Sequence, residues 1–459
     1  MLSNSDSTTA ATHLRSGDQP VRIAVIGFAG VIGRRHTAHV LSNKSAILVA
    51  VVDAAPDASE VAAQLAPGVP FYRSVAEMLE AFTFKGNGKE EQGLEAAIVC
   101  TPNAYHVPVA LELVDAGMQY LLVEKPLADT KAAGRLLVDH AREKGVKILV
   151  GHHRRFNPYV LAAKKVLSSP KPEGGTGAGV GKVKAVSGLW TAYKPEEYFA
   201  AGSWRRSRKL GGGPVMINFV HEVDVLQYLL GPIVRVSAEK MDGDRGFDNG
   251  DGDGDDEEEE NVDRVETGAA LTLRFASGVV GAFVLSDAVV SPHFFEAGTG
   301  ENPMLPRALR PLQRQQQQQR QPDGSSKESE SAEGQRQQQQ QGESIDVYRV
   351  FGTHGTLSIP DMTLWTYGSN NDNNKDKNKS RSWENEMRVV RMELDDDDPR
   401  VPFDRQLDHF ISVIRGDVEI GDGPGCTGEE GLRVLAVCEA VLEALDDREG
   451  GKRIVVDKE

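Results

Sequence analysis

The sequence predicts a two-part protein: a doubly wound parallel α/β domain over residues 21–151, then an α+β domain over residues 152–459. Three observations predict it. Apolar runs of strand length alternate with helical segments throughout residues 21–150, as in a parallel sheet covered on both faces. Beyond residue 151 the strands are joined by hairpin-length connections such as Ala276-Ser277-Gly278, which favours a mainly antiparallel sheet with helices on one face. A chain of 459 residues also exceeds what one compact core accommodates.

Each element of the first domain follows from its local pattern. Val21 to Ile26 is a nearly unbroken apolar run, hence a buried strand. A glycine-rich turn and a helix from about Ile32 to Ser42 come next, then a strand from Ile47 to Val52 ending in Asp53. Helical patterns cover Glu60–Leu65, Val75–Phe82 and Val107–Ala116, the last stopped by Gly117. Strands are expected at Ala96–Cys100, Tyr120–Val123 and Val146–Val150. A helix capped by Asp129 or Thr130 and closed before Gly145 lies between the last two. In the second domain, helices are expected at Pro158–Ser168, Pro214–Leu230, Asp404–Ile414 and Glu429–Leu445. Strands are expected at Val183–Trp190, Ile233–Glu239, Glu266–Phe275, Val279–Ser286, Asp346–Gly352, Gly355–Ile359 and Met362–Tyr367.

The formal charge of −16 is local in origin. Residues 242–263 hold twelve acidic residues against one arginine, and the remainder carries only −5. With no clustered basic patch, nucleic acid is not expected as a partner. Three cysteines without paired spacing fit a reducing compartment, and residues 1–20 read as a disordered tail lacking the apolar core of a signal peptide. No run reaches the length of a membrane span, so a cytoplasmic protein is expected. Residues 85–93, 171–181, 242–263, 305–343 and 368–384 are polar and repetitive, with glutamine runs at Gln315–Gln319 and Gln337–Gln341. Such compositions bury little apolar surface and read as solvated insertions.

Two motifs carry chemistry. The strand Tyr120–Val123 stops at Glu124-Lys125-Pro126, and in open α/β sheets ligands bind beyond the carboxyl ends of the strands. Lys125 is therefore a candidate catalytic group. The loop Gly27-Phe28-Ala29-Gly30-Val31-Ile32-Gly33 opens a helix after a strand, which presents backbone N–H groups and a positive dipole end to a pyrophosphate. Gly30 and Gly33 hold the last two positions of the usual G-x-G-x-x-G pattern. Phe28 stands where its first glycine belongs, with Gly27 one residue earlier. Asp53, twenty residues after Gly33, is placed to accept hydrogen bonds from a ribose and to repel a 2′-phosphate, with no arginine at Ala54 or Ala55 to receive one. NAD is the cofactor expected, with NADP disfavoured.

A short-chain dehydrogenase shares the G-x-x-G-x-x-G loop but needs a tyrosine four residues before a lysine. None of the nine tyrosines satisfies this; Tyr120 and Tyr159 have Lys125 and Lys164 five residues on. With Thr101-Pro102-Asn103, His106, Glu124-Lys125-Pro126, the segment Gly151 to Pro158, Trp204-Arg205, Gly211-Gly212-Gly213 and His221-Glu222-Val223-Asp224 in this order, the chain resembles the Gfo/Idh/MocA oxidoreductases. The resemblance runs from about Val21 to Asp457. It implies a Rossmann dinucleotide domain and an α/β domain with a large open sheet. It also implies NAD(P)-dependent redox chemistry on sugars, inositols and related polyols, and dimers or tetramers formed through that sheet.

Members of that family carry an acid four residues after the triple glycine and a histidine eight after it. His221 matches; Ile217 stands in the acid's place, with Asn218 beside it. A helix opened by Pro214 brings Asn218 onto the face of His221, where it holds a substrate hydroxyl without carrying a proton. On this reading Lys125 polarises the substrate oxygen and His221 accepts or relays the proton. Thr101, Pro102, Asn103 and His106 line the nicotinamide ribose, and Glu124 contacts the nicotinamide side or orients Lys125. Arg155, Tyr193 and Trp190 touch substrate, and Asp224 anchors its helix. His152 and His153 lack the spacing of a metal site, and no metal is assigned. A non-catalytic, ligand-binding regulator of the same family is the alternative.

Overall fold

The computed structural model describes residues 19–82, 93–168, 179–242, 264–302, 305–310, 343–367, 382–392, 394, 398–447 and 453–456. In chain order the strands are β1 (Val21–Ile26), β2 (Ala46–Val52), β3 (Phe71–Tyr72), β4 (Ala96–Val99), β5 (Tyr120–Val123), β6 (Lys147–Val150), β7 (Val183–Thr191), β8 (Ile233–Lys240) and β9 (Gly268–Phe275). They continue as β10 (Val280–Ser286), β11 (Leu309–Arg310), β12 (Glu343–Ser344), β13 (Tyr348–Gly352), β14 (Gly355–Ile359), β15 (Thr363–Tyr367), β16 (Met387–Arg391), β17 (Cys426–Thr427) and β18 (Arg453–Val455). The α-helices are α1 (Val31–Ser42), α2 (Ala58–Leu65), α3 (Val75–Ala81), α4 (Asn103–Asp115), α5 (Lys131–Lys144), α6 (Pro158–Ser168), α7 (Glu196–Ala200), α8 (Val220–Leu230), α9 (Phe295–Thr299), α10 (Pro402–Arg415) and α11 (Gly428–Leu445).

The chain divides into two compact units. The first comprises Met1–Glu124, Leu136–Gly151 and Phe403–Thr427; the second comprises Lys125–Arg135, His152–Pro402 and Gly428–Glu459. The first unit holds the sheet β17-β6-β5-β4-β1-β2-β3, parallel except for β17 against β6. Strand order reverses between β1 and β4, which makes their carboxyl ends the topological switch point where ligands bind in such sheets. The units do break at 151/152, but Lys125–Arg135 falls in the second and Phe403–Thr427, with most of α10, returns to the first. Leu407, Phe410, Ile411 and Val413 join the core built on Ile23, Val25, Phe28, Val51 and Ile98. A helix some 250 residues downstream gives no local sign of which core its apolar face will join.

The second unit is organised on a nine-stranded sheet, β16-β15-β14-β13-β7-β10-β9-β8-β18, antiparallel apart from the β7–β10 pair. Hairpin β9–β10 turns at Gly278, whose φ of +88° lies in the left-handed region that glycine occupies without strain. Most of the polar insertions lie outside the described residues, as do residues 1–18. Where its ends are described, the 305–343 segment is not unstructured: β11 pairs with β12, Leu309 opposite Ser344. Strand β16, Met387–Arg391, is exposed along its whole length, so it carries no buried alternation for a sequence pattern to reveal.

Helix α4 begins at Asn103, earlier than expected, because Pro102 serves as its N-cap and the helix accommodates Pro108 in its second turn. The segment read as one helix from Pro214 is two: a π-helical turn, Val215–Phe219, runs into α8.

If α10 belongs to the first unit's core, Phe410→Ala removes a side chain that is 1% exposed within it. Its expected cost is about 3–5 kcal/mol of unfolding free energy, read by urea denaturation, with NADH binding weakened at intermediate denaturant. A cost near zero would place the helix outside that core.

Candidate active site

The first unit builds its loop from three glycines that act differently. Gly27 has φ +77°, and a Cβ there would lie 2.7 Å from the backbone of Cys100 and Thr101. At Gly33 a Cβ would lie 2.1 Å from the Gly27 carbonyl oxygen, so this glycine lets α1 pack onto its own loop. Gly30, by contrast, has an ordinary φ of −68°, and a Cβ there would meet only Gly27 O, at 3.6 Å. Nothing inside the protein requires glycine at 30. What its missing side chain leaves open is the approach to the start of α1, whose N-cap is that same glycine and offers no side-chain cap. The first-turn N–H groups of a helix have no intrahelical acceptor. This is the cradle a pyrophosphate fits.

Asp53 ends β2 and holds the loop directly. Its Oδ2 accepts from Ala29 N–H and its Oδ1 from Ala55 N–H, both at 2.9 Å. An ionised carboxylate has about four acceptor positions, so two hydrogen bonds leave it able to take a ribose hydroxyl. One expectation is corrected here. An arginine does stand beside this acid's loop: Arg73 donates to Ala55 O at 2.6 Å and lies over the Phe71 ring. It comes from the end of β3, an element too short for sequence periodicity to place. Phe28 contributes only backbone to the loop; its side chain is fully buried and packs edge-to-face on Phe71. Val31 is 82% exposed at the first turn of α1.

At the end of β4, Thr101 Oγ1 is buried and has no hydrogen-bond partner among the described residues. His106 does not line the ligand side as expected. Its ring is buried, and Nε2 bonds the Thr101 carbonyl at 2.8 Å, so as the protonated nitrogen it braces the Thr101-Pro102-Asn103 turn. Glu124 is buried, and its Oε1 meets His36 Nε2 of α1 at 2.8 Å. Gly151 makes room for that carboxylate, since a Cβ there would lie 2.6 Å from it.

In the second unit, α8 carries His221 and is clamped by two arginines from the short 3-10 turn His153–Phe156. Arg155 grips Asp224 with Nε at 2.9 Å and Nη2 at 2.7 Å to Oδ1, and its Nη1 reaches Glu430 at 3.1 Å. Its expected role in touching substrate is thus corrected: its guanidinium is 2% exposed and engaged by buried acids. Arg154 bonds Glu222, Glu296 and, at 3.0 Å, Glu301; Tyr348 donates its hydroxyl to Glu222. Three carboxylates around one guanidinium cannot all be ionised away from water. Burial pushes Glu222 up to about 8 and Glu301 up to about 7, against the pull of Arg154.

His221 is buried and lies edge-to-face with His153, ring centroids 5.7 Å apart. Burial, and then the positive charges of Lys125 and Arg154, hold its pKa well below the usual range. The ring is therefore neutral, and its Nδ1 is buried without a hydrogen-bond partner among the described residues. Trp190 of β7 is similar: 3% exposed, with an unmatched Nε1 donor. Tyr193, by contrast, is 49% exposed and forms an isolated bridge with Ala288.

Asn218 sits in the π-helical turn rather than in an α-helix, and the triple glycine explains how that turn starts. Gly213 has φ +84°, and a Cβ on it would strike the Glu266 carboxylate, whose Oε1 accepts from Val215 N–H at 2.8 Å. Asn218 Oδ1 accepts from Lys194 Nζ at 2.5 Å. Lys194 was not foreseen. It lies in an ordinary-looking stretch after β7, with no spacing relation to the triple glycine that would draw attention to it.

The first unit carries a glycine loop suited to a dinucleotide, and the second carries a half-buried lysine, Lys125, and a buried histidine, His221. Family comparison agrees. Residues 21–152 match the model described as "Oxidoreductase family, NAD-binding Rossmann fold", and residues 178–451 match "Oxidoreductase family, C-terminal alpha/beta domain". The chain belongs to the Gfo/Idh/MocA oxidoreductase family. Among curated relatives, inositol 2-dehydrogenase of Rhizobium meliloti (strain 1021) is 26% identical over 213 residues, 46% of this chain and 55% of the relative. The 4-carboxy-2-hydroxymuconate-6-semialdehyde dehydrogenase of Sphingobium sp. (strain NBRC 103272 / SYK-6) is 32% identical over 139 residues, 30% of this chain and 40% of the relative. The chain thus spans about half the length of these relatives. The WlbA dehydrogenase from Bordetella pertussis, crystallised with NADH and UDP-GlcNAcA, shares the fold at TM-score 0.61 and 20% identity, over 96% of this chain and 100% of that one.

The acid cluster makes a pH prediction. Glu222 is protonated in the folded state up to about pH 8 but ionises in the ordinary carboxylate range when unfolded. The folded state therefore binds more protons between those limits, and this group makes stability fall as pH rises from about 4.5 to about 8. Glu222→Gln should flatten that fall in chemical denaturation at pH 5, 6.5 and 8. Parallel pH dependence in the two proteins would refute a protonated Glu222.

Proposed function

We propose that the protein is an NAD-dependent oxidoreductase that moves hydride between the cofactor and a CH–OH carbon of a sugar, inositol or related polyhydroxylated substrate. The observation that carries this reading is His221: a buried, neutral imidazole with an unmatched Nδ1, under the influence of the Lys125 ammonium. Such a pair suits alcohol oxidation. Bound NAD supplies the hydride acceptor. Lys125 donates a hydrogen bond to the substrate oxygen and stabilises its developing negative charge, and His221 takes the hydroxyl proton. Gly30 and the start of α1 hold the pyrophosphate, with Asp53 on the adenosine ribose. Thr101 Oγ1 is the polar atom at the end of β4 that a nicotinamide ribose would satisfy.

Lys125→Ala is expected to keep NADH binding, read by fluorescence, while lowering kcat by about a hundredfold or more on whichever polyol is turned over. Unchanged turnover would remove Lys125 from the mechanism. Asp53→Ala should narrow the preference for NAD over NADP by about tenfold to a hundredfold, less than the bare charge repulsion of order 4 kcal/mol would give, because Arg73 stands nearby. An unaltered preference would show that Asp53 only shapes the loop.

Ile217, where relatives carry an acid, supports a second reading as a non-catalytic, ligand-binding regulator. NAD binding with no turnover across a panel of sugars, inositols and polyols would favour it. For assembly, the strands β13 to β16 offer an exposed apolar row on one face, with Phe351, Trp365 and Val389 in register, suited to a homo-oligomer. Among the described residues no helix is long and apolar enough to cross a membrane, and the three cysteines are free, in keeping with a cytoplasmic setting.

A further inference from the structure

Two arginines flank Asp53, and both have only neutral partners. Val52 pairs with Tyr72 at the end of the β2–β3 ladder, and Asp53 N–H continues it to the Tyr72 carbonyl at 3.2 Å. The next residues of these parallel strands, Asp53 and Arg73, therefore stand side by side at the carboxyl edge of the sheet, where ligands bind. Two alanines tie both guanidiniums to this acid. Ala55 gives its N–H to Asp53 Oδ1 at 2.9 Å and takes Arg73 Nη1 on its carbonyl at 2.6 Å. Ala29 gives its N–H to Oδ2 at 2.9 Å and takes Arg34 Nε on its carbonyl at 2.7 Å.

Both arginines are exposed. Arg73 Nη2 adds only Pro56 O and Ser59 Oγ, each at 3.4 Å, and its guanidinium carbon lies 5.1 Å from the Phe71 ring centroid. Among the described residues Arg34 bonds Ala29 O and no other group. The acids of the adjoining elements leave both alone. Asp57 and Glu60 at the start of α2 form no ion pair with either arginine among the described residues, and Glu77 of α3 receives the Arg73 main-chain N–H at 2.8 Å. A guanidinium has five N–H donors, so most of those on Arg34 and some on Arg73 have no protein acceptor among the described residues. A phosphate on the ribose that Asp53 faces would be repelled by the carboxylate, yet planar N–H forks match its oxygens in pairs. The two effects oppose each other at one place.

We propose that the protein also binds NADP(H), with the 2′-phosphate received by Arg73 at the end of β3 and Arg34 of α1. NAD is then preferred by far less than Asp53 alone would impose. This rests on the dinucleotide reading of the glycine loop and adds a second cofactor to it. Arg73 and Arg34 are specificity-determining residues for the adenosine end, and take no part in hydride transfer.

Titration of the full chain with NADH and with NADPH, followed by fluorescence and calorimetry, tests this without any substrate. The wild type is expected to favour NADH by about tenfold to a hundredfold, against the roughly thousandfold that one unopposed charge at about 4 Å would give. Arg73→Gln, which can still hydrogen-bond Ala55 O, should weaken NADPH by about tenfold and leave NADH within about threefold. Arg34→Gln should act in the same sense, and the double variant should approach the thousandfold preference. Arg73→Lys, which keeps the charge, should retain most of the NADPH affinity. NADH binding is the check that each variant is folded. A wild-type preference of about a thousandfold or more, or an NADPH-to-NADH ratio unmoved in the double variant, would overturn the proposal while leaving NAD binding in place. A wild type that binds neither dinucleotide would remove the reading of the glycine loop and the proposal with it.

Discussion

Helix α8 of the second unit is held by two consecutive buried arginines. Arg155 fixes Asp224 and Arg154 fixes Glu222, and both acids lie on α8, one on either side of Val223 and just after His221. Removing one partner of a buried pair of this kind typically costs about 3–5 kcal/mol, because the remaining charge is left without compensation. Hydrogen bonds in more than one direction also leave the helix little freedom to rotate. His221 thereby keeps its ring against His153, buried and uncharged, with one nitrogen facing no protein acceptor or donor among the described residues. The cost of that arrangement falls on the surrounding acids, one of which holds a proton near neutral pH.

The first unit solves a different problem, that of bringing backbone close to a phosphate. Gly27 lets the chain pass against the end of β4, and Gly33 lets α1 seat on the loop. Only at Gly30 would a Cβ be accommodated, meeting nothing nearer than Gly27 O at 3.6 Å. Asp53 binds the same loop through Ala29 N–H, so the residue just after β2 also fixes the loop's backbone. His36 and Glu124 then join α1 to the end of β5, immediately before Lys125 in the chain. In both units buried polar pairs hold elements in place, His36–Glu124 in the first and Arg155–Asp224 in the second.

Much of this was legible in the sequence because it rests on short-range rules. Unbroken apolar runs gave β1, β2, β4 and β5, and Thr130 Oγ1 does accept from Ala133 N–H at the start of α5. The expectations that failed involve partners far away in the chain. Arg155 was expected to touch substrate because nothing near it in sequence shows that Asp224 and Glu430 will enclose it. His106 was expected on the ligand side, yet the turn of α4 directs it back to Thr101 O. Asn218 was placed on an α-helix, and the π-helical turn that holds it starts from a contact with Glu266, fifty-one residues away from Val215.

By itself the sequence determined the two-part α/β architecture, the dinucleotide loop with Asp53, and Lys125 at a strand end, because strand alternation, a glycine turn and a terminal residue are local matters. Tertiary structure alone decided that α10 joins the first unit's core, that Arg154 and Arg155 are structural clamps, and that Lys194 meets Asn218. Each of those is a contact between residues that no periodicity links. Whether a charged side chain meets a ligand or a buried partner depends on which surfaces the fold brings together. For Lys194 the partners include an amide, Asn218, and at 3.8 Å the buried carboxylate of Asp287.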